Sequence, residues 1–363
     1  MSRVDTVRKL AARMTTPLLP DDYLNMLNPL WSARELRGKI IQVIPETDDA
    51  ATLVIQPGWG WAPTYQAGQY VGIGVEVGGK FHWRSYSISS TPTDSPTASG
   101  ARARYRAGKL TITVKAMPEG FLSEHLVRGL EPGTIVRLAL PQGEFVLPDP
   151  PPAKILFWTG GSGITPVMSM LRTMDRRGTM TDVVHVHSAP TADAAIFRQE
   201  RLALAERHPS LTLIENFDDQ HGLLDVRRLT EVCPDWRSRQ AWVCGPAPMM
   251  AAAEEEWGRA RLGKQLHLER FSVALTASAE GGHVTFSVSG KEADVDGATT
   301  LLEAGEAAGI QMPFGCRMGI CHTCIVPLKK GVVKDLRNGA EYTENAGVQT
   351  CITAAAGDCS LAI

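Results

Sequence analysis

The amino-acid sequence predicts a multidomain fold, in which an antiparallel β-barrel, an α/β domain with a doubly wound parallel sheet and a small α+β domain follow one another. Short alternating strands separated by Gly and Pro turns fill residues 34–150. Apolar strands alternate with helical segments in residues 151–272, and a cysteine-rich loop follows a hairpin and a short helix in residues 277–363. A chain of 363 residues has room for two or three such domains. Residues 1–33 are read as an N-terminal extension.

Composition excludes several classes of function. The net charge is −2 and the hydrophobic fraction is 44%, as in an ordinary soluble protein. No segment approaches the roughly 20 apolar residues of a transmembrane helix. A basic stripe with interleaved aromatic residues is also missing, so we expect no nucleic-acid partner. The 7 cysteines are too sparse for a disulfide scaffold and follow no secretory signal, and free thiols favour a reducing cytoplasm. The chain is also expected to be a monomer.

Residues 3–14 have the spacing of a basic amphipathic helix. Such a helix can lie on the inner face of a membrane, so at most a peripheral association is expected. Packing of this helix on the protein itself is the favoured interpretation.

Six strands are predicted in the first domain, at residues 39–43, 51–55, 69–77, 83–89, 110–116 and 134–140. Turn signals such as Pro57-Gly58 separate them, and strands at this spacing indicate an antiparallel barrel. A helix is expected after Gly120, and a proline-rich linker at residues 148–152 ends the domain.

The second domain is predicted to contain strands and helices in alternation. The strands are residues 154–158, 182–188, 211–215 and 240–243, and the helices are residues 166–176, 196–207 and 247–262. This alternation is typical of a parallel, doubly wound sheet. Residues 267–277 close the domain and lead into the third.

Four cysteines in the third domain, Cys316, Cys321, Cys324 and Cys351, have the C-x4-C-x2-C…C spacing of a plant-type [2Fe–2S] ferredoxin. Structural zinc sites pair their ligands as close knuckles, and Cys351 has no close partner in sequence. A hairpin at residues 284–288 and 292–295 and a helix at 301–308 precede the loop, in the order of a β-grasp ferredoxin. We expect Cys233 and Cys359 to be ordinary thiols.

Glycine-rich turns upstream suggest phosphate sites. The run from Thr159 to Pro166 joins a buried strand to a helix, and its glycines permit close approach of a pyrophosphate. It departs from the dinucleotide G-x-G-x-x-G pattern, and a plain glycine turn is the alternative. The segment from Gly120 to Ser123 opens another helix, for which simple capping is the alternative. Cys244 ends a later strand, at the edge where doubly wound sheets bind ligands.

Together, Arg-x-Tyr-Ser at 84–87, Gly-x-x-Ser at 120–123, Gly-Gly-Ser-Gly-Ile-Thr-Pro at 160–166 and Cys-Gly-Pro at 244–246 resemble the ferredoxin–NADP reductase superfamily. With the cysteine loop, residues 34–363 resemble an iron–sulfur flavoprotein reductase. The resemblance implies flavin binding by Arg84, Ser85, Tyr86, Ser87, Lys115, Gly120, Phe121, Leu122 and Ser123. It implies nucleotide binding by Gly160, Gly161, Ser162, Gly163, Ile164, Thr165, Pro166, Cys244, Gly245, Pro246 and Met249. It also suggests that Phe271, near Glu269, stacks on the flavin, although a core phenylalanine is the alternative.

The identity of the cofactors is less sharply indicated. The Gly-x-x-Ser helix start suits the diphosphate of FAD, which is favoured over FMN. A 2′-phosphate is bound by Arg or Ser beyond the second strand of the sheet, and Ser188 and Arg198 are present there. NADPH is therefore favoured over NADH, while Asp193 leaves NADH open.

The segment from Tyr23 to Ser32 and the run Gly58-Trp-Gly-Trp61 resemble actinobacterial reductases that serve membrane fatty acyl desaturases. The expected function is electron transfer from NADPH through FAD and the [2Fe–2S] cluster to such a di-iron desaturase. An NADH-dependent reductase component of an alkane or aromatic hydroxylase or dioxygenase is the alternative. A flavin and iron–sulfur redox sensor is the alternative from another class. A self-contained oxygenase is disfavoured, because the 9 histidines form no di-iron or Rieske pattern.

Overall fold

The structure is a computed structural model that describes residues 20–32, 35–61, 65–77, 80–92, 108–117, 121–271, 277–314, 319 and 322–363, with only the backbone described at 20–22 and 80–81. The chain divides into two compact units, Met1–Glu269 and Arg270–Ile363. The helix predicted at residues 3–14 lies outside the described residues. Among the described helices, none is both long and apolar enough to span a membrane.

The first unit begins with a closed antiparallel barrel. Its strands follow the order β4-β3-β6-β1-β2-β5. An antiparallel bridge from Ile88 to Ile112 joins the two ends of this order and closes the barrel. Fully buried side chains such as Ile40, Leu53 and Ile73 fill its interior. The strands are β1 Arg37–Thr47, β2 Ala50–Pro57, β3 Tyr70–Val77, β4 Lys80–Ser87, β5 Leu110–Lys115 and β6 Ile135–Leu138.

Two helices accompany the barrel. Helix α1 (Pro20–Leu27) precedes β1, and α2 (Phe121–Glu124) lies between β5 and β6 and continues into a π-helical turn, His125–Gly129. The predicted six-stranded barrel is therefore confirmed, with strand ends that differ from the expected ones by a few residues.

The rest of this unit is a parallel sheet in the order β11-β10-β7-β8-β9, covered by helices. Its strands are β7 Lys154–Gly160, β8 Asp182–Ala189, β9 Leu211–Phe217, β10 Gln240–Cys244 and β11 Leu266–Glu269. Its helices are α3 Ile164–Arg177, α4 Arg198–Arg207, α5 Asp218–His221, α6 Val226–Val232 and α7 Ala247–Arg259. The doubly wound sheet is confirmed, whereas β11, α5 and α6 were not predicted as elements.

Polar contacts tie the barrel to this sheet. Arg172 of α3 donates to the Ser89 carbonyl oxygen at 2.6 Å while its other nitrogens bind Glu200. Ser169 of the same helix donates to the Ser90 carbonyl oxygen at 2.7 Å. Because these groups are buried or half-buried, the hydrogen bonds fix α3, and the turn before it, against the barrel.

The second unit contains a five-stranded sheet, β13-β12-β19-β14-β17, and a three-stranded sheet, β16-β15-β18. Thr300 caps its helix, α8, by accepting from the Glu303 backbone N–H at 3.2 Å, and the Glu303 carboxylate accepts from the Thr300 N–H in return. Helix α8 is Leu301–Ala307. The strands are β12 Gly282–Phe286, β13 Lys291–Val295, β14 Ile325–Lys330, β15 Val333–Asp335, β16 Glu341–Tyr342, β17 Gly347–Gln349, β18 Thr353–Ala355 and β19 Cys359–Leu361.

Two leucines of α4 provide a matched test of the sheet core. Leu204 is 1% exposed in the cluster between α3 and the sheet, whereas Leu202 is 39% exposed. Leu204→Ala is expected to lower the free energy of unfolding by about 3 kcal/mol through lost burial and a cavity. Leu202→Ala should cost less than about 1 kcal/mol. Urea unfolding of both variants measures the difference, and equal losses would contradict the packing.

Candidate cofactor sites

Two glycine-containing turns meet at the carboxyl edge of the parallel sheet. Gly160 ends β7, and Gly163 leads into α3. A Cβ atom on Gly163 would overlap the carbonyl oxygen of Cys244, at the end of β10. A Cβ on Gly245 would lie 3.0 Å from the Gly160 nitrogen. The two turns therefore touch backbone to backbone, which only glycine permits.

The turn after β7 leaves room for a ligand at the start of α3. Gly161 has a φ of +51°, and nothing lies within 4 Å of the position of a Cβ there. Thr165 donates to the Ser162 carbonyl oxygen at 2.9 Å and stabilises the turn. The backbone N–H groups of a helix start favour negative charge, so this open position fits a pyrophosphate. Ile164, Thr165 and Pro166 are buried and anchor the helix.

A serine, a cysteine and a glutamate come together where β4, β10 and β11 end. Ser87 donates to the Glu269 carboxylate at 3.4 Å, and Glu269 pairs with Cys244 in the parallel ladder. Burial raises the pKa of Glu269 to about 8, although the Ser87 hydrogen bond opposes the shift. Burial, with the Glu269 charge, raises the pKa of the Cys244 thiol well above its ordinary value. At neutral pH both groups therefore hold their protons.

The strand that ends at Ser87 supplies further groups. Burial raises the pKa of Tyr86, and the Ser85 hydroxyl is buried without a hydrogen-bond partner among the described residues. Arg84 is exposed and donates to the carbonyl oxygen of Trp83 at 2.8 Å. A buried hydroxyl that lacks a protein partner fits a polar ligand at this strand, such as a flavin.

The other residues expected to bind flavin have diverse surroundings. Lys115 pairs with Asp49 at 3.1 Å, and Ser123 accepts from the Met117 N–H at 3.1 Å. Phe121 is 59% exposed, whereas the Leu122 side chain is buried in the barrel core. Leu122 could therefore meet a ligand only through its backbone. Gly120 lies outside the described residues.

Two arginine side chains beyond β8 bind the same carboxylate. Arg198 and the fully buried Arg201 both donate to Glu215, each at 3.1 Å. The Ser188 hydroxyl is buried with no partner among the described residues. The structure thus pairs Arg198 with a carboxylate that the sequence analysis did not single out.

A buried threonine–histidine cluster underlies the glycine turn. The Thr159 hydroxyl lies 3.0 Å from His185 Nε2 and 2.8 Å from His187 Nδ1. Burial, aided by Arg201, lowers the pKa of both histidines well below the ordinary value, so both are neutral. They brace Thr159, the last residue before Gly160.

Two of the four predicted cluster ligands lie in the described part of the second unit. Cys324 and Cys351 are buried, and their sulfur atoms are 3.3 Å apart. This separation is well beyond a disulfide bond of about 2.05 Å. Two thiols held this close fit joint ligation of one iron, while Cys316 and Cys321 lie outside the described residues. Phe271, 40% exposed, belongs to the second unit.

Comparison with known proteins assigns these regions to families. A model of the oxidoreductase FAD-binding domain matches residues 62–147, and one of the oxidoreductase NAD-binding domain matches residues 157–255. A model of the 2Fe-2S iron-sulfur cluster binding domain matches residues 284–356. The fold and sites therefore define an oxidoreductase that uses FAD, NAD(P)H and a [2Fe–2S] cluster, as the sequence predicted.

Relatives extend the similarity over the whole chain. An NADPH oxidoreductase of Mycobacterium tuberculosis is 58% identical over 358 residues, 98% of this chain and 92% of that protein. A glycine betaine monooxygenase reductase subunit of Pseudomonas aeruginosa is 30% identical, covering 92% of this chain and 98% of its own. The solved structure of phthalate dioxygenase reductase shares the fold at 21% identity, with a TM-score of 0.65 over 91% of this chain and 98% of the other. The chain belongs to the ferredoxin–NADP reductase superfamily, among flavoproteins fused to a C-terminal plant-type [2Fe–2S] ferredoxin domain.

The raised pKa of Glu269 predicts a specific dependence of stability on pH. Between about pH 4.5 and 8 the folded chain holds a proton at Glu269 that the unfolded chain releases. The contribution of the Glu269 proton to the free energy of unfolding is therefore fully present below pH 4.5, and it is lost as the pH rises through 8. The melting temperature of the wild type should fall relative to that of Glu269→Gln between these limits. If the melting temperatures of the two proteins change equally with pH across this range, the raised pKa of Glu269 is contradicted.

Proposed function

We propose that this chain takes electrons from NADPH and passes them, one at a time, to an oxygen-activating partner protein. The observation that carries the proposal is the similarity over 98% of the chain to a protein named NADPH oxidoreductase. The monooxygenase reductase subunit of Pseudomonas aeruginosa supports the class of partner.

The proposed roles of the residues follow from their positions. Bound FAD would supply the conversion between the electron pair of NADPH and the single electrons of the [2Fe–2S] group. The start of α3, with Gly161 and Ser162, would hold the pyrophosphate of the nucleotide. Cys244 and Glu269 would line the position between nucleotide and flavin, where Ser87 holds the carboxyl group. Their raised pKa values keep this position uncharged at neutral pH.

The charge near β9 supports NADPH over NADH. Arg198 and Arg201 share the single carboxylate of Glu215, which leaves one positive charge in excess in this group. Arg201 is fully buried, so Arg198, with 34% of its side chain exposed, is the guanidinium that solvent or a ligand can reach. An accessible guanidinium that follows β8, the strand that carries Ser188, suits the 2′-phosphate that distinguishes NADPH from NADH.

The coenzyme proposal is tested by removing this charge. Arg198→Gln is expected to reduce the ratio of kcat/KM for NADPH to that for NADH by about tenfold, as for one lost charged hydrogen bond. Arg207→Gln, on the same helix but paired with Asp175, is the control and should leave the ratio unchanged. An unchanged ratio in Arg198→Gln removes Arg198 from the nucleotide site.

The role of the cysteines is tested with two acceptors. Cys351→Ser is expected to lower NADPH-driven reduction of cytochrome c at least about a hundredfold, since one cluster ligand is lost. Reduction of ferricyanide, which the flavin can serve directly, should persist. Cys359→Ala, a buried thiol outside the predicted ligand set, should retain both activities. Absence of both activities in the wild type would instead favour a flavin and iron–sulfur redox sensor.

The proposed partner is a membrane fatty acyl desaturase, and an alkane or aromatic hydroxylase or a dioxygenase is the alternative. The two segments that resemble desaturase reductases pack together, since Trp31 stacks on Trp59 with ring centroids 5.1 Å apart. Helix α1 beside them exposes Met26 and Leu27 by 72% and 77%. Reconstitution with a desaturase is expected to give NADPH-dependent desaturation. Failure with every desaturase tried would exclude this partner and leave the reductase intact.

A further inference from the structure

The predicted cluster loop is held by side chains from outside it. Gly319 lies between Cys316 and Cys321 in sequence. Its carbonyl oxygen accepts hydrogen bonds from Arg337 Nη1 at 3.3 Å and from Gln349 Nε2 at 3.0 Å. Thr350 donates to the Cys324 carbonyl oxygen at 3.0 Å. Gly319 and Cys324 are thus held by side chains that follow them in the chain.

Arg337 is itself fixed by a buried carboxylate. Its Nε donates to Asp335 Oδ1 at 3.0 Å, and its Nη2 donates to Oδ2 at 2.7 Å. The Asp335 side chain is fully buried, while 31% of the Arg337 side chain is exposed. This two-point pairing holds the plane of the guanidinium in one orientation. Burial favours a protonated Asp335, but the hydrogen bonds from Arg337 outweigh it and hold the pKa of Asp335 below its ordinary value.

Gly319 leaves room for this guanidinium. Gly319 has a φ of +71°, and a Cβ there would lie 2.8 Å from Arg337 Nη1 and 2.8 Å from Ile352 Cδ1. Any other residue at 319 would push the arginine away. The positive end of the Asp335–Arg337 pair therefore lies against the backbone of Gly319, between two of the predicted ligands in sequence.

We propose that Arg337, oriented by Asp335, is a positioning residue that braces the cluster loop and raises the reduction potential of the [2Fe–2S] group. Each reduction adds one electron, and therefore one negative charge, with no bond made or broken in the protein. A fixed positive charge and hydrogen bonds nearby stabilise the more negative, reduced form. The electron comes from NADPH through FAD in the enzyme, or from dithionite in a titration.

The test is the midpoint potential of the cluster in the full-length holoprotein, measured by dithionite titration with EPR detection. Arg337→Gln is expected to lower the equilibrium constant for one-electron reduction about tenfold, which is about 59 mV more negative. Arg337→Lys, which keeps the charge, should restore most of the potential. Lys334→Gln is the charge-matched control, because Lys334 lies in β15, shortly before Arg337 in the chain, and pairs with Glu341 at 3.6 Å. The potential of this variant should equal that of the wild type.

A potential of Arg337→Gln equal to that of Lys334→Gln would overturn the proposal. Removing Arg337 alone leaves the buried Asp335 charge unpaired, so this variant is prone to unfold. If it fails to retain the cluster, Arg337→Gln combined with Asp335→Asn replaces the ion pair by a neutral one. A lowered potential in the double variant supports the proposal, and a wild-type potential overturns it. The inference rests on the four cysteines holding the cluster, and dithionite makes the result independent of the proposed coenzyme and partner.

Discussion

The structure of the first unit depends on the backbone contact between the turns after β7 and β10. Because Gly163 packs directly on the Cys244 carbonyl group, the two strands must lie side by side with their carboxyl ends level. The start of α3 is then fixed beside the end of β10. Packing alone therefore requires glycine at Gly163, whatever ligand binds there. One contact thus fixes β7 against β10 and shapes the proposed nucleotide site between them.

The buried polar groups of this unit follow from that geometry. Level strand ends bring Glu269 alongside Cys244, where the end of the barrel strand β4 supplies Ser87. The same alignment stacks Thr159 beside His187 in the β7–β8 ladder. Groups that would be costly to bury singly are thereby partnered, and they remain uncharged next to the cofactor sites. In the second unit the buried carboxylate of Asp335 is instead charged and is partnered by Arg337 in an ion pair.

Much of the fold could be predicted from sequence, because long alternating strands and the helix after the glycine run carry clear periodicity. The missed elements are short. Strand β16, for example, has only two residues, Glu341–Tyr342, which are too few to show the alternating pattern of a strand. Helix α4 begins at Arg198, two residues later than expected, because Phe197 before it adopts a left-handed conformation with a φ of +57°.

The candidate site was partly predictable for a related reason. Glycine and cysteine motifs can be recognised by the spacing of their residues within a short segment. The pairings of Arg198 with Glu215 and of Arg337 with Gly319 join residues that are 17 and 18 positions apart. Such pairs depend on how strands and loops meet in space, and no local pattern in the sequence marks them.

In the proposed function, electrons enter at the nucleotide site and reach the cysteine cluster through the flavin. Rapid mixing of the oxidised holoprotein with NADPH, without oxygen, tests this order most directly, with flavin absorbance and freeze-quenched EPR followed together. The account predicts that flavin absorbance falls first and that the EPR signal of the reduced cluster then grows. A cluster signal that precedes flavin reduction, or reduced flavin beside a permanently oxidised cluster, would contradict it.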